Sequence, residues 1–391
     1  MKINQWTLGL AAAGVVSFGM VGHAEEAKEA VKTALSSTVL SGYVSSSVWY
    51  NPGSIGARNA ALPFSGGNAL GGFAAPTKAN NINLDVVDLK LEKPLGEGPW
   101  AAGYAAELWF GPDANQLNTG SQSFLGTGLN SDLAIKQAYV NLRIPVGNGI
   151  DTKLGVFDTP LGYETPNSGS NPNYTRSWGW AIEPTQHTGV IASYRFCEWM
   201  SATAGIANSH SPNINSKAGA TAESQKTFIG AITLTAPKSA GPLNGATLTA
   251  GVVDGRGAGV AGRDLTSIYV GASVPTPVKG LNLGLAYDLA HQNGKGNDTW
   301  AGAVYVSYQA TKKLTLNLRE DYVDSGAALG SQSAGLLGRE VLSSTLTADY
   351  ALWANVISRL EYRWDHDIGG TPKALGARNA SLLALNVIYK F

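Results

Sequence analysis

The sequence predicts an all-β fold, a transmembrane antiparallel β-barrel of sixteen strands, and three observations carry that prediction. Apolar and polar residues alternate with a period of two through segment after segment. Short turns and long polar loops take turns along the chain. The chain is also poor in charge and rich in glycine. Charged residues make up 14% of it, against roughly 25% in ordinary soluble domains, and glycine reaches 48 of 391 residues. A wall with lipid on one side and small polar residues on the other has this composition.

Taken in order, residues 1–24 have the form of a cleaved export signal. Lys2 supplies a positive start, Trp6 opens an apolar stretch reaching Val21, and Gly22 and Ala24 flank a cleavage site with small residues. That stretch is short and glycine-bearing for a membrane anchor, and no later apolar run is long enough to cross a bilayer as a helix. Residues 25–36, dominated by Ala, Glu and Lys, read as a short periplasmic lead-in, either helical or irregular. The barrel is expected over residues 37–391.

Within it the alternation is explicit. Val87, Leu89 and Leu91 oppose Asp88, Lys90 and Glu92. Ala138, Val140, Leu142 and Ile144 oppose Tyr139, Asn141 and Arg143. Leu281, Leu283, Leu285, Tyr287 and Leu289 oppose Asn282, Gly284 and Asp288. Leu314, Leu316 and Leu318 oppose Asn317, Arg319 and Asp321. Leu360, Tyr362 and Trp364 oppose Arg359, Glu361, Arg363 and Asp365. In the last segment Leu383, Leu385, Val387, Tyr389 and Phe391 share one face, with Ala384, Asn386, Ile388 and Lys390 on the other. Successive strand residues point to opposite faces, so each segment offers lipid an apolar row and the lumen a polar one. Trp100, Trp199, Trp300, Trp364, Tyr350 and Phe391 fall near segment ends, where amphipathic rings settle at the headgroup level.

Short turns are expected at 95–99, 145–149, around Cys197, at 276–280, at 310–312 and around Trp353. Long polar loops are expected at 51–81, 111–131, 158–185, 210–225 and 325–340. In barrels of this kind the short turns face the periplasm and the long loops face outward. The count is roughly sixteen strands. Segment 237–245 is long for a periplasmic turn, which leaves fourteen or eighteen as alternatives.

Lys plus Arg and Asp plus Glu are equal at 28 each, which removes the electrostatic basis for nucleic-acid binding. Cys197 is the lone cysteine and reads as structural. The mature histidines His187, His210, His291 and His366 are scattered. No Gly-x-Ser-x-Gly, His-Glu-x-x-His or Cys-x-x-Cys-His motif accompanies them, so neither catalysis nor a cofactor or metal is expected.

The third long loop, 158–185, is the candidate site. It carries Asp158, Tyr163, Glu164, Tyr174, Arg176, Trp178, Trp180 and Glu183, and it is stiffened by Pro160, Pro166, Pro172 and Pro184. Folded back into the lumen, it would constrict a wide channel; packed on its own side chains, it would stay outside. Its aromatic rings suit either a small core of the loop itself or a stacking surface for a sugar.

Four stretches resemble the β-barrel porin family described as OmpL-like: QAYVNLRIPVGNG at 137–149, GVFDTPLGYE at 155–164, NPNY at 171–174 and EPTQHTGV at 183–190. The resemblance is strongest over about 130–195 and implies an outer-membrane porin, a water-filled channel for diffusion of small hydrophilic solutes or ions. It supplies no catalytic residues and no substrate. By analogy with sixteen-stranded porins, Asp158, Glu164 and Glu183 would face a basic wall of Lys90, Arg319, Arg359 and Arg363 across a narrow watery gap; equally, these wall charges would solvate the lumen and pair with neighbours such as Asp321 and Glu361. The same analogy implies outer-membrane lipid as surroundings, Phe391 as a membrane-assembly signal and a homotrimer as one assembly open to the barrel, a state that the sequence itself leaves undecided. The alternative is a non-conducting structural or surface-binding barrel.

Overall fold

The structure is a computed structural model that describes residues 37–52, 78–117, 119, 132–218, 225–257, 264–293, 298–326, 340–369 and 379–391. The export signal and the lead-in expected at 1–36 lie outside these residues. Most of the loops expected at 51–81, 111–131 and 325–340 lies outside them as well.

Sixteen strands form one closed antiparallel barrel. They are β1 Val39–Tyr50, β2 Ile82–Lys93, β3 Ala102–Phe110, β4 Leu133–Ile144, β5 Ile150–Asp158 and β6 Gln186–Cys197. Then come β7 Met200–Ala207, β8 Thr227–Thr235, β9 Thr247–Arg256, β10 Asp264–Pro275 and β11 Leu281–Gln292. The set ends with β12 Thr299–Gln309, β13 Leu314–Asp324, β14 Glu340–Trp353, β15 Val356–Asp367 and β16 Asn379–Lys390. Two single-turn helices interrupt the loops, α1 Pro112–Gln116 and α2 Trp178–Ile182. Each strand pairs with its sequence neighbours, and β1 pairs with β16 to close the ring. At this seam the backbones of Gly42 and Phe391 exchange both hydrogen bonds at 3.0 Å.

The alternation in sequence is the alternation in space. On β16, Leu383, Leu385, Val387 and Tyr389 are exposed, whereas Leu382, Ala384, Asn386 and Ile388 are buried. The outer face therefore bears large apolar residues, and the inner face holds the buried polar ones, Arg319, Glu361, Arg363 and Asp365 among them. Exposed Trp100, Trp199, Trp353 and Phe391 mark the rim of short turns. At the opposite rim Trp300 lies 6.2 Å from Tyr287 and 5.1 Å from Tyr322, ring centre to ring centre.

Segment 237–245 keeps the count at sixteen. Its residues Lys238–Leu243 form two short 3₁₀ turns that meet at a kink at Gly241, and β8 still pairs antiparallel with β9, Leu234 facing Leu248. The β14–β15 turn is tight because Asn355 takes a left-handed φ of 63°, a conformation that asparagine tolerates.

Candidate functional site

The candidate loop, residues 158–185, leaves β5 and returns to β6, and its own polar groups brace it. Asn171 is the central brace. Its side-chain oxygen accepts from the Thr165 backbone at 2.8 Å, and its amide donates to the carbonyls of Thr165 (2.8 Å) and Asn167 (3.1 Å). Arg176 spans the same turn, donating to the carbonyls of Thr165, Tyr174 and Pro166 at 2.9, 2.8 and 2.7 Å. Burial holds this guanidinium below its ordinary pKa. Ser177 caps α2 by accepting from the Trp180 backbone at 3.2 Å, satisfying one of the donors that a helix start leaves open.

The loop is fastened to inward side chains of the wall, and arginine does most of the fastening. Arg319 on β13 donates to Glu164 Oε1 (2.9 Å) and to the Thr175 carbonyl (2.7 Å), while Asp321 holds its Nε at 2.9 Å. Arg359 on β15 reaches the carbonyls of Ser168 (2.7 Å) and Asn171 (3.0 Å), and Asp349 steadies it at 3.0 Å. Arg363 donates to the Arg176 carbonyl at 2.6 Å, pairs with Asp365 and lies 5.1 Å from the centre of the Trp178 ring. A rigid planar donor fork suits this task, because it can hold a carboxylate and a carbonyl at once.

Carboxylates supply the complementary contacts. Glu361 accepts from the Tyr174 backbone (2.6 Å) and from the Thr175 backbone and hydroxyl (2.9 and 2.6 Å). Asp321 accepts from the Trp178 backbone at 2.8 Å. On the far side of the seam the Tyr174 hydroxyl meets Ser47 and Asp85, each at 3.0 Å, and accepts from the Trp49 indole at 3.0 Å. Lys390 donates to the Gly169 carbonyl at 2.9 Å, and Asn167 donates to Glu107 at 3.2 Å. Tyr163 stacks on Tyr305 of β12 with ring centres 4.0 Å apart.

These contacts redistribute the residues singled out from sequence. Glu164, Tyr174, Arg176, Trp178 and the wall residues Arg319, Arg359 and Arg363 come together. The anticipated watery gap between acids and basic wall is instead direct contact at Arg319, which is 0% exposed, as is Arg363. Asp158 bonds Lys136 at 2.8 Å and Gln186 at 3.0 Å, apart from the arginines. Lys90 pairs with Glu92 at 2.7 Å. Glu183 lies against Asp288 of β11, and burial beside that second carboxyl raises its pKa well above the usual carboxylate range. Trp178 and Tyr174 pack with wall residues Trp49, Ala301, Val323 and Leu382, so these rings serve a core shared by loop and wall. Trp180 lies 6.0 Å from the Arg176 guanidinium, ring centre to carbon.

Sequence reading missed Asp85, Ser47 and Lys78. Lys78 is buried and bonds Asp85 at 2.7 Å and Asp113 of α1 at 2.5 Å, drawing the ends of two further loops together. Asp85 shares the parity of Val87, Leu89 and Leu91, and the register shift between β1 and β2 falls at this residue, so alternation alone assigns it to the wrong face.

The opposite wall is neutral. The inward residues of β7 to β9 are small or apolar, such as Thr203, Ala207, Ile229, Thr233, Thr249 and Val253. Hydroxyl pairs Ser193–Thr203 and Thr233–Thr249, each at 3.0 Å, tie neighbouring strands.

With this geometry in hand, the model of the family described as "Putative beta-barrel porin-2, OmpL-like" matches residues 37–391. The chain belongs to this family. Its place is accordingly the bacterial outer membrane, and its architecture is that of an outer-membrane channel for solutes. No curated protein matches the sequence. Among solved structures, the anion-selective porin from Comamonas acidovorans is similar at TM-score 0.60 and 14% identity, covering 91% of this chain and 99% of that one. The outer membrane channel DcaP of Acinetobacter baumannii is similar at 0.58 and 13%, covering 90% and 97%. OmpT of Vibrio cholerae, an outer membrane protein solved in a trimer form, is similar at 0.56 and 12%, covering 90% and 99%. At these identities the likeness is one of fold.

Proposed function

We propose that this porin passes small hydrophilic solutes by diffusion, and that residues 158–185 form a constriction within its lumen. The observation that carries the reading is the arginine fastening. Arg319, Arg359 and Arg363 project inward from two strands, and each is bonded to the loop. A loop held to the inner wall of a sixteen-strand barrel narrows an interior otherwise wide enough for water. The wall cations act in this reading as loop anchors, and Glu164, Glu361 and Asp321 as their counterparts. Phe391 sits at the seam as the membrane-assembly residue, and residues 1–24 are the export signal removed on the way. The protein is a conduit and has no catalytic task. A homotrimer is the assembly we favour, a form also recorded for the similarly folded OmpT.

A second reading, a sealed structural barrel, draws on the complete burial of Arg319, Glu361 and Arg363 at the level of the loop. Purified protein in a planar lipid bilayer separates the two. Stepwise conductance is the expected result, and a membrane sealed at every voltage would overturn the channel. Cross-linking in detergent reports the trimer.

A further inference from the structure

We infer that Lys153, seated on the face of Tyr139, is an anion-binding point of this channel, and that the solutes it favours are small anions. The inference rests on the channel reading above and adds the class of solute.

Among the described residues, the other cations on the inward face of the strands are engaged. The three loop-fastening arginines, Lys90, Lys136 and Arg143 each meet a carboxylate. Arg195 and Lys390 donate to backbone carbonyls. Lys153 has no such acceptor among the described residues. Its contact is with the Tyr139 ring, whose centre lies 4.6 Å from Nζ. An aromatic face stabilises an ammonium on one side but accepts none of its three N–H bonds in the way an anion does. Lys153 is partly exposed, and its remaining donors meet no acceptor among the described residues.

Position supports the assignment. Lys153 lies in the middle of β5, paired in register with Asn141 of β4 and Ile191 of β6. It therefore stands on β5, separated by β6 from the neutral wall of β7 to β9, and on a different strand from the arginine anchors of β13 and β15. Glu92 and Asp158, two carboxylates close enough to influence it, are each bonded to another lysine, at 2.7 and 2.8 Å. Lys90 and Lys136 themselves add potential of the same sign. A solute anion here would exchange part of its water shell for ammonium donors. With one ammonium as the point of contact, binding stays weak enough for the ion to leave, as conduction requires.

The test is the reversal potential of the full-length protein in a planar bilayer under a KCl gradient, with chloride as the probe anion. The wild type is expected to pass chloride in preference to potassium. Lys153→Glu should lower the chloride-to-potassium permeability ratio several-fold, Lys153→Gln should lower it less, and Lys153→Arg should keep it. Lys153→Gln introduces no new charge and covers the case in which Lys153→Glu fails to fold. A conducting wild type without chloride preference, or glutamine and glutamate variants with the wild-type ratio, would overturn the anion site and leave the channel standing. A bilayer that never conducts would overturn both.

Discussion

Strands β11 to β16, continued across the seam by β1 and β2, share an alternating backbone with β7 to β9, yet their inward rows differ in kind. The first wall carries Arg319, Asp321, Arg359, Glu361, Arg363, Asp365 and Asp85, all at or below 2% exposure. The second carries threonine, alanine, isoleucine and valine. Charges removed from water are costly unless paired and hydrogen-bonded. A row of them so deeply buried is therefore a socket for something that satisfies them, and the loop 158–185 is what it holds. The neutral wall needs no such partner. The same β-scaffold thus anchors on one side and leaves the other plain, with Lys153 on β5 between them.

The comparison breaks most visibly at Arg319. Replacing it by alanine strands Glu164 and Asp321 as buried carboxylates, a change of about 3–5 kcal/mol in typical cases. We expect a lower temperature for heat-induced loss of the folded gel species, and a larger unit conductance as the loop loosens. An unchanged conductance step would mean that the anchor is not what narrows the lumen.

A smaller effect is expected where the loop meets β11. A Cβ on Gly284 would stand 2.2 Å from the Tyr163 hydroxyl, and stacking against Tyr305 limits where that ring can go. Gly284→Ala should destabilise the loop seat by about 1–3 kcal/mol, the usual cost of overpacking, measured as the same thermal shift.

The smallest effect separates the two sides by pH. Glu183 has a raised pKa in the fold, from burial beside Asp288, with Glu164 adding to it. Its contribution is complete below the ordinary carboxylate pKa and is lost as pH rises through the raised value. Glu183→Gln should therefore flatten the loss of thermal stability on the alkaline side. His210, in the loop after β7, is pushed down to about 4 by burial, and its ring meets Ser267 at 3.0 Å. Its contribution is complete above the ordinary histidine pKa and is lost as pH falls toward about 4. Base should loosen the loop's return to β6 while acid loosens the neutral side. A Glu183→Gln protein with the wild-type alkaline slope would remove the first half of that contrast.

The fold was legible because a strand's period of two is imposed by geometry, and lipid on one face made that period visible as the row Leu383, Leu385, Val387 and Tyr389. The inward direction of Arg319, Arg359 and Arg363 was legible for the same reason. The pairing of Arg319 with its strand neighbour Asp321 was legible too, but the arginines' partners on the loop were not. Alternation assigns a side chain to a face, but the path of a 28-residue loop follows from many weak contacts, such as the Asn171 brace, that leave no period in the sequence. Hence the loop acids were expected to face the arginines across water, whereas Glu164 meets Arg319 directly, Asp158 bonds Lys136 and Glu183 lies against Asp288. Lys153 escaped notice because a lysine among other lysines looks ordinary until its neighbours prove to be occupied.

The seam between β1 and β16 bears on how the molecule comes into being. Asn386 bonds Ser45 across 341 positions of chain, and the Phe391 backbone closes on Gly42. Contacts between such distant residues form late and slowly, because the loop-closure entropy must be met before any pairing rewards it. Until then β1 and the last completed strand are raw edges, open to pairing with another sheet. Residues of β16 are thus among those that seal the first strand. Without that pairing the sixteen strands would be a sheet with two open edges.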